Sequence, residues 1–274
     1  MEIIYEKKPK ELIEDFLIDY HRVFNNIDID KARKIIIDTI AYYKDGIETK
    51  NCYSINLSDR WYRSLKKEKT DYGIYGDEYY FTDLWACWII YSRKYLRSFL
   101  KSTLQYKQKE FIIFDYLKSS KSIVDLGCGI GLTTSALSQM FKKSKIYGTN
   151  IKGTDQYIFC SKMAKKYGFT IVSDIKKLKG GIDTAIAFEY FEHIETPIEH
   201  IEEIIKMLKP KNIVFANSFN TRSVGHFKRY KNNGMSIDQR DVSKLFNSVL
   251  MSRGYFKMKT NMWNNRPMIW SNIK

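Results

Sequence analysis

Residues 122–132 read Ser-Ile-Val-Asp-Leu-Gly-Cys-Gly-Ile-Gly-Leu, and this stretch constrains the fold more tightly than any other in the chain. A short apolar run, Ile123-Val124, meets an acid, Asp125, and then glycines at three alternate positions, Gly127, Gly129 and Gly131. Apolar residues then recur at helical spacing through Leu132, Ala136, Leu137, Met140 and Phe141. The order predicts strand, glycine loop, helix. In an open α/β sheet that junction lies outside the carboxyl end of the strand, where nucleotide-like ligands sit. A Cβ at these positions would hold a ligand off the backbone and obstruct the tight turn. A dinucleotide loop, Gly-x-Gly-x-x-Gly, needs its third glycine at position 132. Leu132 stands there, which argues against an NAD-dependent oxidoreductase.

The flanking segments extend the pattern. Strands are predicted at 145–150, 169–172, 182–188 and 212–217, with a helix at 157–167 closed by Gly168. Thr196, Pro197 and Glu199 predict a helix start with a capping box, and Lys209-Pro210 its end. A last helix spans about 238–253, with Asp155 expected to cap the earlier one. Two β-like runs, 255–263 and 267–273, flank Asn-Asn-Arg and read as a closing antiparallel hairpin. Strands alternating with helices imply a mostly parallel sheet covered on both faces. The first hundred residues are different. Apolar stripes predict helices over 12–24, after Pro9, over 32–43, stopped near Gly46, and over 81–100, with Arg93, Lys94, Arg97 and Lys101 on the opposite face. Residues 51–76 read as a long loop, and a short helix at 111–117 leads into the sheet. The division expected is 1–110, a helical extension, and 111–274, an α/β core.

At 274 residues the chain suits one large domain or a core with an appendage. Its first residues lack the apolar core of a signal peptide, and no apolar run is long enough to cross a bilayer. Cys52, Cys87, Cys128 and Cys160 form no CxxC pair, so disulfides and zinc are not expected and a cytoplasmic setting is. The net charge of +15 leaves two readings open, a nucleic-acid partner or a lysine-rich composition. Lys outnumbers Arg, the residue better suited to bidentate phosphate contacts.

The stretch Asp-x-Gly-x-Gly-x-Gly at 125–131, with the strand and helix order after it, resembles motif I of the class I S-adenosylmethionine-dependent methyltransferases, in the type 11/23-like branch. The resemblance implies a Rossmann-like sheet with a C-terminal antiparallel hairpin, and S-adenosylmethionine as cofactor with no metal required. It places Asp125, Gly127, Cys128 and Gly129 under the cofactor's amino-acid part. Asn150 takes the position after the second strand that is usually a ribose-binding acid, with Ile151 beside it. An amide keeps an acceptor there but loses the charge, so Asn150→Asp is expected to bind cofactor as well or better. Asp174 and Ile175 fall at the adenine position, and Glu189 on the wall between cofactor and acceptor. Glu189-Tyr-Phe-Glu-His-Ile-Glu-Thr-Pro197 resembles the Glu-x-x-Glu-His-Ile-x-x-Pro segment of small-molecule members. Glu192 and His193 are candidate proton acceptors, and His226, on the loop after the fifth strand, is the favoured general base. Asn217, Asn220 and Tyr230 on that loop, and Trp85 on the helical extension, are candidate acceptor contacts.

Amino-methylating DNA enzymes carry a Pro-Pro motif and C5-cytosine enzymes a Pro-Cys nucleophile; neither occurs here. The expected function is methyl transfer to a small molecule or a nucleic acid. The alternative is a methyltransferase-like subunit that binds cofactor or nucleic acid without turnover. Nothing in the sequence fixes the oligomeric state.

Overall fold

The computed structural model describes residues 4–46, 52–67, 70–178, 181–262 and 266–273. The predicted α/β plan is present. Strands β3 (Ser122–Asp125), β4 (Lys145–Thr149), β5 (Thr170–Val172), β6 (Thr184–Phe188), β7 (Asn212–Ala216), β10 (Phe256–Lys257) and β12 (Met268–Ser271) form a seven-stranded sheet. Its order is β5-β4-β3-β6-β7-β12-β10. The first five strands run parallel, and β12 runs antiparallel to both β7 and β10. The chain leaves β3 for β4 on one side and later returns to β6 on the other. Their carboxyl ends therefore border the crevice where open α/β sheets bind ligands.

Both faces of the sheet are covered, and adjacent strand residues serve opposite layers. Ile123 joins a core with α7 (Leu132–Met140) and α8 (Asp155–Tyr167), while Val124 joins one with α9 (Pro197–Leu208) and α10 (Gln239–Ser252). In α9, Ile198, Ile201, Ile204 and Leu208 make the buried stripe. Its start differs from expectation: the Thr196 side chain makes no capping bond, and Glu199 Oε1 instead accepts from Asn233 N at 2.6 Å. Thr154, not Asp155, caps α8 by accepting from Tyr157 N at 3.2 Å.

The helical extension contributes to both cores. From α1 (Pro9–Val23), Leu12, Phe16, Leu17 and Tyr20 enter the first, as do Ile35 and Ile36 of α2 (Ile29–Asp45). Asp19 of α1, itself buried, pairs with Lys162 at 3.1 Å and Lys166 at 2.9 Å on α8. Residues 53–66, expected as loop, are a helix, α3 (Tyr53–Lys66). Its buried face is Ser54, Leu57, Ser58, Trp61 and Tyr62, and the two serines broke the apolar stripe that would have announced it. Asn51, at the head of that expected loop, lies outside the described residues.

The expected long helix is one helical run of three parts: α4 (Tyr80–Cys87), a π-helical turn (Trp88–Ser92) and α5 (Arg93–Lys101). A hairpin, β1 (Thr103–Tyr106) and β2 (Lys109–Ile112), precedes α6 (Ile113–Leu117). Lys107 and Gln108 both hold positive φ, 47° and 63°, so its two-residue turn lacks the usual glycine or asparagine signal. β11 (Lys259–Thr260) pairs with β1, so the first expected closing run is shared between two sheets. Trp263 and the turn residues Asn264 and Asn265 lie outside the described residues. The loop after β7 contains a further hairpin, β8 (Arg229–Asn232) and β9 (Met235–Asp238).

Removing residues 1–110 strips Trp61, Phe16, Tyr20 and Phe99 from the two cores and leaves β11 without its partner. The remaining fragment is expected to self-associate on size-exclusion chromatography at concentrations where the full chain does not. A monodisperse, cooperatively unfolding fragment would show that the core closes without the extension.

Candidate functional site

The glycine loop leaves β3 with Gly127, Gly129 and Gly131 all at positive φ, 64°, 52° and 84°. It is stitched to the neighbouring strand: Gly127 N donates to Thr149 Oγ1 at 2.8 Å and Cys128 N to Thr149 O at 2.9 Å. Asp125 lies beneath, 3% exposed, and accepts from Thr134 Oγ1 at 2.6 Å. Burial pushes its carboxyl up to about 7, with the Thr134 bond opposing. Asp125 thus braces the loop from inside. The Cys128 side chain also points inward, with its Sγ 3.5 Å from that of Cys160.

The two glycines face different surroundings. A Cβ on Gly127 would lie 2.1 Å from Cδ2 of Tyr190, whereas one on Gly129 would meet nothing within 4 Å. The open side of the loop is therefore over Gly129. Asn150 borders it. Its Nδ2 donates to Gly129 O at 2.7 Å, and its Oδ1 accepts from Ile151 N at 2.9 Å. Ile151 is 75% exposed, an apolar side chain standing in solvent at the end of β4. Asp174 is exposed after β5 and accepts from Lys176 N at 2.9 Å, and half-buried Ile175 starts the turn beyond it. Open backbone, an apolar side chain and a carboxylate at successive strand ends fit an adenosyl group with an amino-acid tail.

The second half of the site follows β6. Glu189 holds φ 50°, a conformation few non-glycine residues adopt, and its N donates to Ala216 O at 2.9 Å. Tyr95 Oη donates to Glu189 Oε1 at 3.0 Å. Glu192 is fully buried; its Oε1 accepts from Ser218 N at 2.9 Å. Asn217, with its amide nitrogen turned inward, donates to Glu192 Oε2 at 3.2 Å. Burial raises the carboxyl pKa of both glutamates.

The histidines are deeper than their sequence positions suggest. His226 is 3% exposed, with Nδ1 2.8 Å from Thr221 O, and its own carbonyl accepts from Trp61 Nε1 at 2.6 Å. The rings of His226 and His193 meet edge to face at 4.8 Å. Burial pushes His226 down to about 4 and His193 well below the usual imidazole range. Both are neutral at physiological pH.

Of the candidate acceptor contacts, Tyr230 is buried in the second core, its Oη donating to Glu192 O at 3.1 Å. Trp85 is buried in the first core, stacked on Phe16 at 5.9 Å. Asn220 is exposed in the turn after β7. Glu189, Glu192, Asn217, His193 and His226 are gathered in one region. Asn150 and Ile151 border the glycine loop. Among the described residues no three of His, Cys, Asp and Glu are arranged to hold a metal ion. Sequence reasoning missed Thr149, Tyr190, Tyr95 and Arg266, whose Nη1 donates to Ser218 Oγ at 3.1 Å. Tyr95 meets a partner 94 residues away, so no local pattern could reveal it.

Residues 93–253 match the family described as methyltransferase domain. The chain belongs to the class I S-adenosylmethionine-dependent methyltransferases. The fold is shared with an O-methyltransferase family protein from Burkholderia thailandensis at 11% identity and a TM-score of 0.54, over 79% of this chain and 67% of that one. The StiE O-MT domain matches at 20% identity and TM-score 0.38, over 52% of this chain and 47% of its own length. The N-terminal domain of EvdMO1, solved with SAH bound, matches at 10% identity and TM-score 0.41, over 59% of this chain and 78% of that one. No curated protein matches the chain.

The Asn150 geometry reverses the expectation for Asn150→Asp. An aspartate could still accept from Ile151 N, but it would turn a second acceptor toward Gly129 O. The variant is expected to bind S-adenosylhomocysteine about tenfold more weakly, roughly 1–2 kcal/mol. Calorimetry showing equal or tighter binding would mean the amide bond does not set the loop.

Histidine burial also predicts a pH dependence. The folded pKa of His226 lies below its unfolded value, so the unfolded chain takes up the proton first. Its contribution to stability is complete above about 6.5 and is lost as pH falls toward 4. His226→Asn keeps a donor for Thr221 O and should remove up to about 3 kcal/mol of that acid-side loss, measured by urea unfolding at successive pH values. An unchanged slope would place the sensitivity elsewhere.

Proposed function

We propose that this enzyme transfers the methyl group of S-adenosylmethionine to a small-molecule acceptor. The observation that carries the reading is the open side of the glycine loop: backbone at Gly129 faces free space at the crevice between β3, β4 and β6, bordered by Asn150. When bound there, the cofactor supplies a methyl group activated on a sulfonium sulfur. The protein aligns it with the acceptor and manages the acceptor's proton.

The small-molecule reading rests on what stands over the strand ends. Tyr95 of α5 reaches Glu189, Trp61 of α3 reaches the carbonyl of His226, and Tyr43 of α2 lies 3.4 Å from Ser223. Arg222 pairs with Asp59 of α3. These contacts tie the loop after β7 to the helical extension, which we read as a lid. A roof of this kind admits a compact ligand more readily than a duplex. The basic charge then belongs to the exterior, and no helix among the described residues is long and apolar enough to cross a membrane.

Isothermal titration with S-adenosylhomocysteine tests the reading. Wild type is expected to bind. Gly129→Val, which places a branched side chain in the open space at φ 52°, is expected to lose binding by at least tenfold. A wild type that binds neither S-adenosylhomocysteine nor S-adenosylmethionine would overturn the reading. Binding without methyl transfer into small-molecule, protein or nucleic-acid pools would favour a non-catalytic subunit.

A further inference from the structure

On its inner side the glycine loop brings two cysteine sulfurs into contact. Cys128 of the loop and Cys160 of α8 are 32 residues apart in the chain, yet their Sγ atoms lie 3.5 Å from each other. Both thiols are free. Two glycines make the room they share. A Cβ on Gly148 of β4 would lie 2.9 Å from the Cys128 sulfur, and one on Gly131, just before α7, 2.9 Å from the Cys160 sulfur. A larger residue at either position would push a sulfur aside. Disulfide sulfurs stand about 2 Å apart, so this pair has roughly 1.5 Å left to close.

We propose that Cys128 and Cys160 form a redox site: a hydroperoxide converts them to a disulfide, and the disulfide weakens cofactor binding. The second half rests on the methyl-transfer reading; the bond itself does not. In the first step the Cys128 sulfur attacks the peroxide O–O bond and becomes a sulfenic acid, and the other oxygen leaves with the thiol's proton as an alcohol or as water. The Cys160 sulfur then attacks the Cys128 sulfur, and the hydroxyl leaves with the second proton as water. The two thiols lose two electrons and two protons, and the peroxide takes up both.

The order follows from burial. Cys128 keeps 7% exposure on the loop, while Cys160 is fully buried in α8, so the oxidant reaches Cys128 first. The Cys160 contact and burial hold the Cys128 thiol well above the usual thiol range, which makes the attack slow while the loop is closed. Oxidation therefore proceeds from a locally opened loop.

Cys128 is built into the part of the loop that borders the ligand space. Its N donates to Thr149 O at 2.9 Å, and its carbonyl accepts from Gly131 N at 2.7 Å. Its neighbour Gly129 carries the carbonyl that Asn150 Nδ2 holds at 2.7 Å. Drawing Cys128 toward α8 drags Gly129 with it and pulls on the Asn150 bond. A close-packed interior transmits such a shift instead of absorbing it. Linkage makes the effect reciprocal: whatever factor the disulfide takes from cofactor affinity, bound cofactor takes from disulfide formation.

The test uses the reduced full chain and the same chain treated with hydrogen peroxide. Remaining thiols are alkylated, and the digest is mapped by mass spectrometry without reduction. A peptide linked through Cys128 and Cys160 is expected, reversible by dithiothreitol, with Cys52 at the head of α3 and Cys87 at the end of α4 alkylated. Oxidised protein without that linkage would overturn the proposal. Calorimetry is expected to show S-adenosylhomocysteine binding about tenfold more weakly to the oxidised chain, with recovery on reduction. Equal affinity in the two forms overturns the control of cofactor binding. Cys160→Ala is expected to form no linked peptide and to keep its affinity after peroxide; a loss there would assign the effect to another group. Should that variant fail to fold, wild type in buffers of reduced and oxidised dithiothreitol decides. Saturating S-adenosylhomocysteine is expected to move the half-oxidation ratio about tenfold toward the oxidised reagent, and an unmoved ratio overturns the coupling. If reduced wild type binds no S-adenosylhomocysteine, the methyl-transfer reading fails and cofactor control with it, while the peptide map still decides the disulfide.

Discussion

The site depends on how the turn after β3 is fastened to β4. Three glycines at positive φ would leave an isolated loop with many conformations, since glycine is the residue that loses most backbone entropy on ordering. Thr149 removes much of that freedom by accepting two loop amides, one on its hydroxyl and one on its carbonyl. Asn150 holds the Gly129 carbonyl from the side, and Asp125 with Thr134 braces the turn from the interior. The result is a loop whose inner surface is packed and whose outer side, where a Cβ on Gly129 would stand, is open. Ligand space and rigidity come from the same few hydrogen bonds.

The helical extension matters for a related reason. A sheet covered by α7 and α8 on one face and by α9 and α10 on the other still has open strand ends. Phe16 and Tyr20 bury themselves against Phe159 of α8, with Trp85 stacked on Phe16, while Trp61 and Tyr62 enter the opposite core. The extension therefore spans both layers across the ligand edge. Its polar contacts reach Glu189 after β6 and His226 and Ser223 on the loop after β7. The π-helical turn lies between α4 and α5, the helix that carries Tyr95 to Glu189. Such turns recur at functional sites because the extra residue re-aims the side chains that follow.

Burial sorts the ionisable groups by task. His226 and His193, kept neutral and edge to face, act as packed and hydrogen-bonded parts of the wall. Gly225 is part of that arrangement, because a Cβ there would sit 2.4 Å from His193 Nδ1.

The sequence by itself determined the elements whose signals are local. Period-2 and period-3.6 patterns, the Gly-x-Gly-x-Gly turn and the Pro197 helix start depend on residues within one turn or strand of each other. The α/β order, the loop and the Glu189–His193 segment were legible for that reason. Where the local signal was interrupted, reading stopped: Ser54 and Ser58 hid α3, and Lys107-Gln108 hid the β1–β2 turn. Only the tertiary structure decided which polar groups meet. Asn150 spends its amide on Gly129 and Asn150's own neighbour, Tyr190 packs over Gly127, and Tyr95 crosses from the extension to Glu189. Contact between residues far apart in the chain, and the burial that sets each pKa, are properties of the assembled layers, and no stretch of sequence carries them alone.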